Sequence, residues 1–210
     1  MTDVVSAAGR DRSGAVARAA QALRDGMVVA IPTDTVYGLA VDPTKPGATD
    51  AIFAAKGRPR SVVLPVLVGD VDDASRLAVV TEEARRLMVA FWPGALTIVL
   101  RRADGVDFDL GDEGLTIGLR MPADPVARAV CIMVGPIATT SANRHGGSTP
   151  ADAASVAKVL RQGVALVVDD GPRYGQPSTV VDCSGDDTRI LREGSVSWDE
   201  ITAALAAEPG

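Results

Sequence analysis

An α/β fold built on a mixed sheet, with helices covering both faces, is what the sequence predicts. Two observations lead there: short aliphatic runs alternate along the chain with amphipathic segments of helical spacing, and several aliphatic runs pass abruptly into polar tips. No internal repeat or low-complexity linker interrupts the alternation, and a single domain over residues 1–210 is expected, with its core at about 13–206.

In chain order, Val16, Ala19, Ala20 and Leu23 recur at helical spacing within 13–24, and Gly26 suits the C-terminal end of that helix. The segment "MVVAIPTDTVYGLAVD" (27–42) starts as a buried strand and turns polar at Pro32, Thr33, Asp34, Thr35 and Tyr37. A helix then follows with Thr49 as its expected cap and Gly57 as its stop. "LPVLV" (64–68) reads as a strand, and Thr81 followed by Glu82 and Glu83 opens a helix through Phe91 that "WPG" ends. "LTIVLRR" and "LTIGLR" flank an acidic, glycine-containing loop at 103–114. Asp124 and Pro125 begin the next helix, and "PIATTSAN" is again a strand running into a polar tip. Thr149 is expected to cap the segment "TPADAASVAKVL", with Asp152 three residues on. "VALVVDDG", "STVVDCSG" and "TRILREG" are short strands, and Ser197 with Glu200 forms a capping box for the last helix.

Composition narrows the function classes. Hydrophobic residues are 47% and aromatics only 3%, so the core is mostly aliphatic. A net charge of −6 argues against a chain whose main task is gripping nucleic-acid phosphates. Cys131 and Cys183 are far apart and His145 is the single histidine, so neither a disulfide framework nor a Cys/His metal site is indicated. The start of the chain lacks a signal-peptide pattern and no run is long enough to span a bilayer, so a cytoplasmic protein without a membrane segment is expected.

The polar tips carry the chemistry. Thr33, Thr35 and Tyr37 end one strand; Lys56, Arg58 and Arg60 end the helix after it; Arg120, then Thr139, Thr140, Ser141 and Asn143, then Ser178 and Thr179, then Arg192 end later elements. Singly, each has a bland explanation in a turn or a helix terminus. Together, hydroxyl and cationic groups at the ends of separate elements describe a pocket for an anion that also carries hydroxyl and amine groups, with polyphosphate as the expected anion. Neither GxxxxGK[ST] nor a GxGxxG after the first strand is present, and His145 in a glycine-flanked loop is a poor general base.

The motifs "PTDTVYGLA", "AKGRP", "FWPGALTIVL", "LRMP", "TTSAN", "PSTVVD" and "ILREG", in this order over residues 27–195, resemble those of the YrdC family of threonylcarbamoyl-adenylate synthases. The resemblance implies a twisted α/β sheet with a deep central cavity, and the short form of the family. It implies a reaction in which L-threonine, bicarbonate and ATP, assisted by Mg2+, give L-threonylcarbamoyl-AMP and pyrophosphate. Partner proteins would then transfer the threonylcarbamoyl group to tRNA next to the anticodon, with direct tRNA contact at most weak or transient. By position, Thr33, Thr35, Tyr37, Arg120, Thr139 and Ser178 are implied for threonine. Lys56, Arg58, Arg60, Thr116, Ser141, Asn143, Thr149 and Arg192 are implied for ATP, Lys56 and Arg58 also as catalytic groups, with no protein-held metal. The chain departs from the family after "KGRP", where Ser61, Val62 and Val63 replace the usual polar residue, Lys or Asn, and proline; either a polar contact is lost or a backbone contact is kept. Rival classes are a noncatalytic RNA- or nucleotide-binding module, which the acidic balance disfavours, and the carbamoyl-adenylate chemistry of hydrogenase-maturation proteins, whose zinc-finger domains need cysteines this chain lacks.

Overall fold

The computed structural model describes residues 2–111, 114–160 and 162–207. Asp112 and Glu113 of the acidic loop lie outside the described residues. The elements run in order β1 (Asp3–Ser6), a short 3-10 turn at Gly9–Asp11, α1 (Arg12–Arg24), β2 (Val29–Ile31), β3 (Gly38–Val41), α2 (Ala48–Lys56), β4 (Val66–Leu67), α3 (Val71–Leu77), β5 (Ala78–Val79) and α4 (Glu82–Phe91). They continue with β6 (Leu96–Arg102), β7 (Thr116–Arg120), α5 (Pro125–Val134), β8 (Ile137–Ser141), α6 (Ala153–Val159), β9 (Leu166–Asp169), β10 (Thr179–Asp182), β11 (Arg189–Arg192) and α7 (Trp198–Ala206).

One mixed sheet carries the strands in the order β1-β9-β2-β3-β8-β4-β7-β6-β10-β11, with β5 pairing on β6. The pairs β1/β9, β2/β9, β4/β7 and β6/β10 are parallel, and the other pairs are antiparallel. Strand β1 lies ahead of the expected start of the core at residue 13 and pairs along its whole length with β9. The expected strand at the head of "MVVAIPTDTVYGLAVD" proves to be a hairpin-like pair, β2 and β3, with the polar residues forming the turn between them.

Side-chain alternation sends neighbouring residues to opposite faces. Val29 and Ile31 of β2 and Leu166 and Val168 of β9 pack with α1 and α5, while Ala30 and Val167 join the cluster that includes α2, α4, α6 and α7. Along β6 and β7, Leu96, Ile98, Leu100, Ile117 and Leu119 face that second cluster. Their alternates Thr97, Val99, Thr116, Gly118 and Arg120 therefore face the side on which α1 and α5 sit, beyond the reach of those two helices, and the cavity opens there.

The capping chemistry holds at Thr81, Asp124 and the Ser197/Glu200 box. Two expected caps are corrected. Thr49 lies inside α2, whose N-cap is Gly47, and its hydroxyl donates to Asp109 at 2.8 Å. Asp152 rather than Thr149 caps α6, accepting from the Ser155 backbone at 2.8 Å. Gly57 stops α2 in a left-handed conformation (φ 65°) as its position suggests. Helix α3, capped by Asp70, is an addition to the sequence reading; seven residues containing two aspartates give too short a periodic signal.

Candidate functional site

Five chain segments meet at the uncovered part of the sheet. A cavity of about 150 Å³ lies between the β2–β3 turn (Thr33, Thr35), the tip of β8 (Thr139, Ser141), Arg120 at the end of β7, Ser178 before β10 and Arg192 at the end of β11. An adjoining compartment of about 300 Å³ shares Arg58, Pro65, Thr97 and Arg192 with it and continues along the sheet past Val63, Val99, Thr116, Val180 and Leu191.

The β2–β3 turn is built from its threonines. Thr33 Oγ1 accepts from the backbone of Thr35 and Val36 and donates to the Val36 carbonyl at 2.6 Å. Its one proton is thus used, so in the 3.0 Å contact with Thr35 the donor is Thr35. Thr35 in turn accepts from Arg120 Nη1 at 3.1 Å, which gives a directed chain from Arg120 through Thr35 and Thr33 to a backbone carbonyl. Arg173 fixes the turn from outside, donating to the Thr33 carbonyl at 3.0 Å while pairing with Asp124 and Asp170.

Arg120 is buried, its Nε donates to the Gly94 carbonyl at 2.9 Å, and Nη2 lies 2.7 Å from Asp34 Oδ1 in an ionic contact. Nε, Nη1 and Nη2 thus stand against Gly94, Thr35 and Asp34, which fixes the plane of the guanidinium, and among the described residues Nη2 is buried without a hydrogen-bond partner of its own. Glycine at 94 is a steric requirement, since a Cβ there would stand 2.4 Å from the Phe91 carbonyl. Glycine at 194 is required likewise: a Cβ would meet the Pro177 carbonyl at 2.2 Å, in the segment that presents Ser178.

Three guanidiniums, from Arg58, Arg120 and Arg192, line the first cavity, and Asp34 is the carboxylate paired with one of them. Burial, then the charge of Arg192, lowers the Arg58 pKa, and burial, then the charge of Arg120, lowers that of Arg192. Arg192 is anchored to Ser178 through its carbonyl at 2.7 Å and hydroxyl at 3.2 Å. Arg58 donates to the carbonyls of Val62 (2.8 Å) and Val63 (3.1 Å) and to Thr140 Oγ1 (3.3 Å). At the Ser61-Val62-Val63 departure it is the backbone carbonyls of Val62 and Val63 that hold the guanidinium.

The other sequence candidates divide by location. Thr33, Thr35, Thr139 and Ser178 from the threonine set line the first cavity, as do Ser141, Arg58 and Arg192 from the nucleotide set, and Thr116 lines the second compartment. Tyr37 is not a cavity wall: it is wholly buried on the far side of the turn, donates to the Gly171 carbonyl at 2.9 Å, and is pushed up to about 12 by burial and then by Asp169. Arg60 does not line the cavity; it pairs with Asp50 and Asp109 and stacks over Phe53. Lys56 lies behind the β8 tip, where its ammonium donates to the Ser141 carbonyl (2.6 Å) and hydroxyl and to the Asn143 carbonyl (2.9 Å) and amide oxygen (2.8 Å). Burial, then Arg58, lowers this ammonium to about 8. Asn143 is spent on the same structure, accepting from Lys56, Ser141 and Thr149 and donating to the carbonyls of Arg144 and Gly147. These groups shape the tip rather than line the cavity. Sequence reasoning missed Thr97 and Arg173; a lone polar residue facing away from the aliphatic alternation of "LTIVL" was the available signal for the first.

The fold and site together define an α/β protein with a cation-lined cavity suited to an anionic ligand beside a small polar one. The chain belongs to the Sua5/YciO/YrdC family, whose model, described as telomere recombination, matches residues 21–194. It is 41% identical over 199 residues to a Mycobacterium tuberculosis protein provisionally named a threonylcarbamoyl-AMP synthase, covering 94% of this chain and 92% of that one. It is 39% identical to the threonylcarbamoyl-AMP synthase of Bacillus subtilis, covering 90% of this chain and 56% of the relative. The structure of Pyrococcus abyssi Sua5 complexed with L-threonine superposes with a TM-score of 0.89 at 32% identity, covering 98% of this chain and 61% of that one.

Proposed function

We propose that this chain joins L-threonine, bicarbonate and ATP into L-threonylcarbamoyl-AMP with release of pyrophosphate, for threonylcarbamoylation of tRNA next to the anticodon. The observation that carries the proposal is the convergence of three guanidiniums and the hydroxyls of Thr35, Thr139 and Ser178 on one cavity with a second compartment attached. The family and the names of the relatives agree with it.

In this reading the threonine carboxylate pairs with the Arg120 charge, and the cavity hydroxyls receive the substrate's own polar groups, which need partners once buried. Threonine's amine condenses with bicarbonate, forming an N–C bond with loss of water. A carbamate oxygen then attacks the α-phosphorus, the bond to the bridging oxygen breaks, and pyrophosphate leaves. Arg58 and Arg192 stand where the two compartments join and offset the charge that develops during displacement, while alignment supplies most of the rest.

The polar side chains that line the cavity are guanidiniums and hydroxyls, and among the described residues no three His, Cys, Asp or Glu side chains cluster. This set does not fit a metal held by the protein. Mg2+ is therefore read as arriving on the triphosphate of the substrate, with phosphate oxygens and water as its ligands. Delivery to tRNA falls to separate transfer proteins. No helix among the described residues is long and apolar enough to cross a membrane, and a cytoplasmic setting belongs to the same reading.

The test is a pyrophosphate-release assay with substrates omitted singly. Release is expected only with ATP, threonine and bicarbonate together; release that continues without threonine overturns the proposal.

A further inference from the structure

Thr97 sits on β6 at 4% exposure and touches both compartments, yet none of the roles above uses it. Its hydroxyl oxygen lies 2.9 Å from Ser178 Oγ. A serine oxygen has two lone pairs and one proton. Arg192 Nη2, at 3.2 Å, already donates into one of those lone pairs. If Thr97 donates into the other, Ser178 has no acceptor capacity left and its proton must point at whatever occupies the cavity. If Ser178 donates to Thr97 instead, Ser178 offers the cavity only a lone pair. A cavity lined by three guanidiniums selects an oxygen anion, and an anion selects the first arrangement.

We infer that Thr97 is a positioning residue that makes the Ser178 hydroxyl an obligate donor to an anionic oxygen of the substrate in the first cavity. The chain Thr97 to Ser178 to substrate oxygen runs in one direction, and each bond polarises the next. The methyl of Thr97 fills the space against Gly118, where a Cβ would stand 3.4 Å away, so valine at 97 keeps the shape while removing the proton. The inference rests on the proposed binding of threonine in this cavity.

The experiment measures KM and kcat for threonine in T97V, T97S, S178A and the T97V/S178A double variant, with the KM for ATP as a control. Loss of one neutral hydrogen bond predicts that T97V raises the threonine KM about fivefold, with kcat and the ATP KM close to parent values and with restoration in T97S. Because Thr97 acts through Ser178, the double variant should be no worse than S178A. An unchanged threonine KM in T97V overturns the inference, and so does a T97V effect of full size on the S178A background. Failure of the parent protein to use threonine at all would instead strike the functional reading.

Discussion

Lys56 offers the sharpest separation between a group that meets the nucleotide and one that shapes the site. Replacing it with methionine keeps the aliphatic stem and removes the ammonium. Four oxygens of Ser141 and Asn143 surround that ammonium, two of them backbone carbonyls. An ammonium has three protons, so three of the contacts form at a time, and each bond to a charged group contributes about 1.5–3 kcal/mol. The charge no longer has to be desolvated in the variant, which returns part of that sum, and a net loss of about 3 kcal/mol is expected. For a chain of this length that corresponds to a fall in Tm of roughly 6–12 °C. Differential scanning calorimetry of K56M beside the parent, with ATP turnover measured well below both transitions, provides the assay. If K56M melts within about 2 °C of the parent while turnover disappears, the ammonium acts on the nucleotide directly and the structural account of Lys56 is wrong.

Other substitutions follow from the same geometry. Arg120→Lys loses the planar guanidinium that Gly94 and Thr35 hold in place and should raise the KM for threonine at least tenfold, about 1.4 kcal/mol, with the ATP KM unchanged in steady-state assays. Val62→Ala should leave turnover at the parent level, because Arg58 uses only the Val62 carbonyl; a large loss would show that the side chain matters. Gly194→Ala should lower Tm and raise the threonine KM together, since the added carbon would displace the segment carrying Ser178. Tyr37→Phe should not alter the KM for threonine. Its pKa of about 12 lies above the unfolded value of about 10, so between these values the folded parent keeps a proton that the unfolded chain has lost. That part of the parent's stability falls as pH rises through the window. Denaturant titrations from pH 9 to 12 should accordingly show a steeper decline for the parent than for Tyr37→Phe.

Much of the sheet was legible because aliphatic runs and caps are local signals: β6, β7, β8, α4, α5 and α7 follow directly from period and capping residue. Strand β3 was hidden because "GLAV" is wholly buried and carries no alternation. The sequence also identified which residue types gather at strand tips, but not which way each points. Thr33, Asn143 and Lys56 look like ligand groups in a motif, and their protons and lone pairs are consumed by the turn and strand tip that present Thr35 and Ser141. Tyr37 and Arg60 lie one to three residues from cavity groups and are spent elsewhere, because the Tyr37 hydroxyl donates to the Gly171 carbonyl and Arg60 is drawn to Asp50 and Asp109. Thr97 was missed for the converse reason, as a polar residue within an apolar strand that becomes a wall only after folding brings Ser178 beside it.

Isotope tracing tests the central claim most directly: ATP is incubated with the protein, 13C-bicarbonate and 15N-threonine, and the nucleotide products are resolved by mass spectrometry. One adenylate carrying both labels, formed in step with pyrophosphate, is the predicted result. AMP or an adenylate lacking either label as the sole product would contradict it.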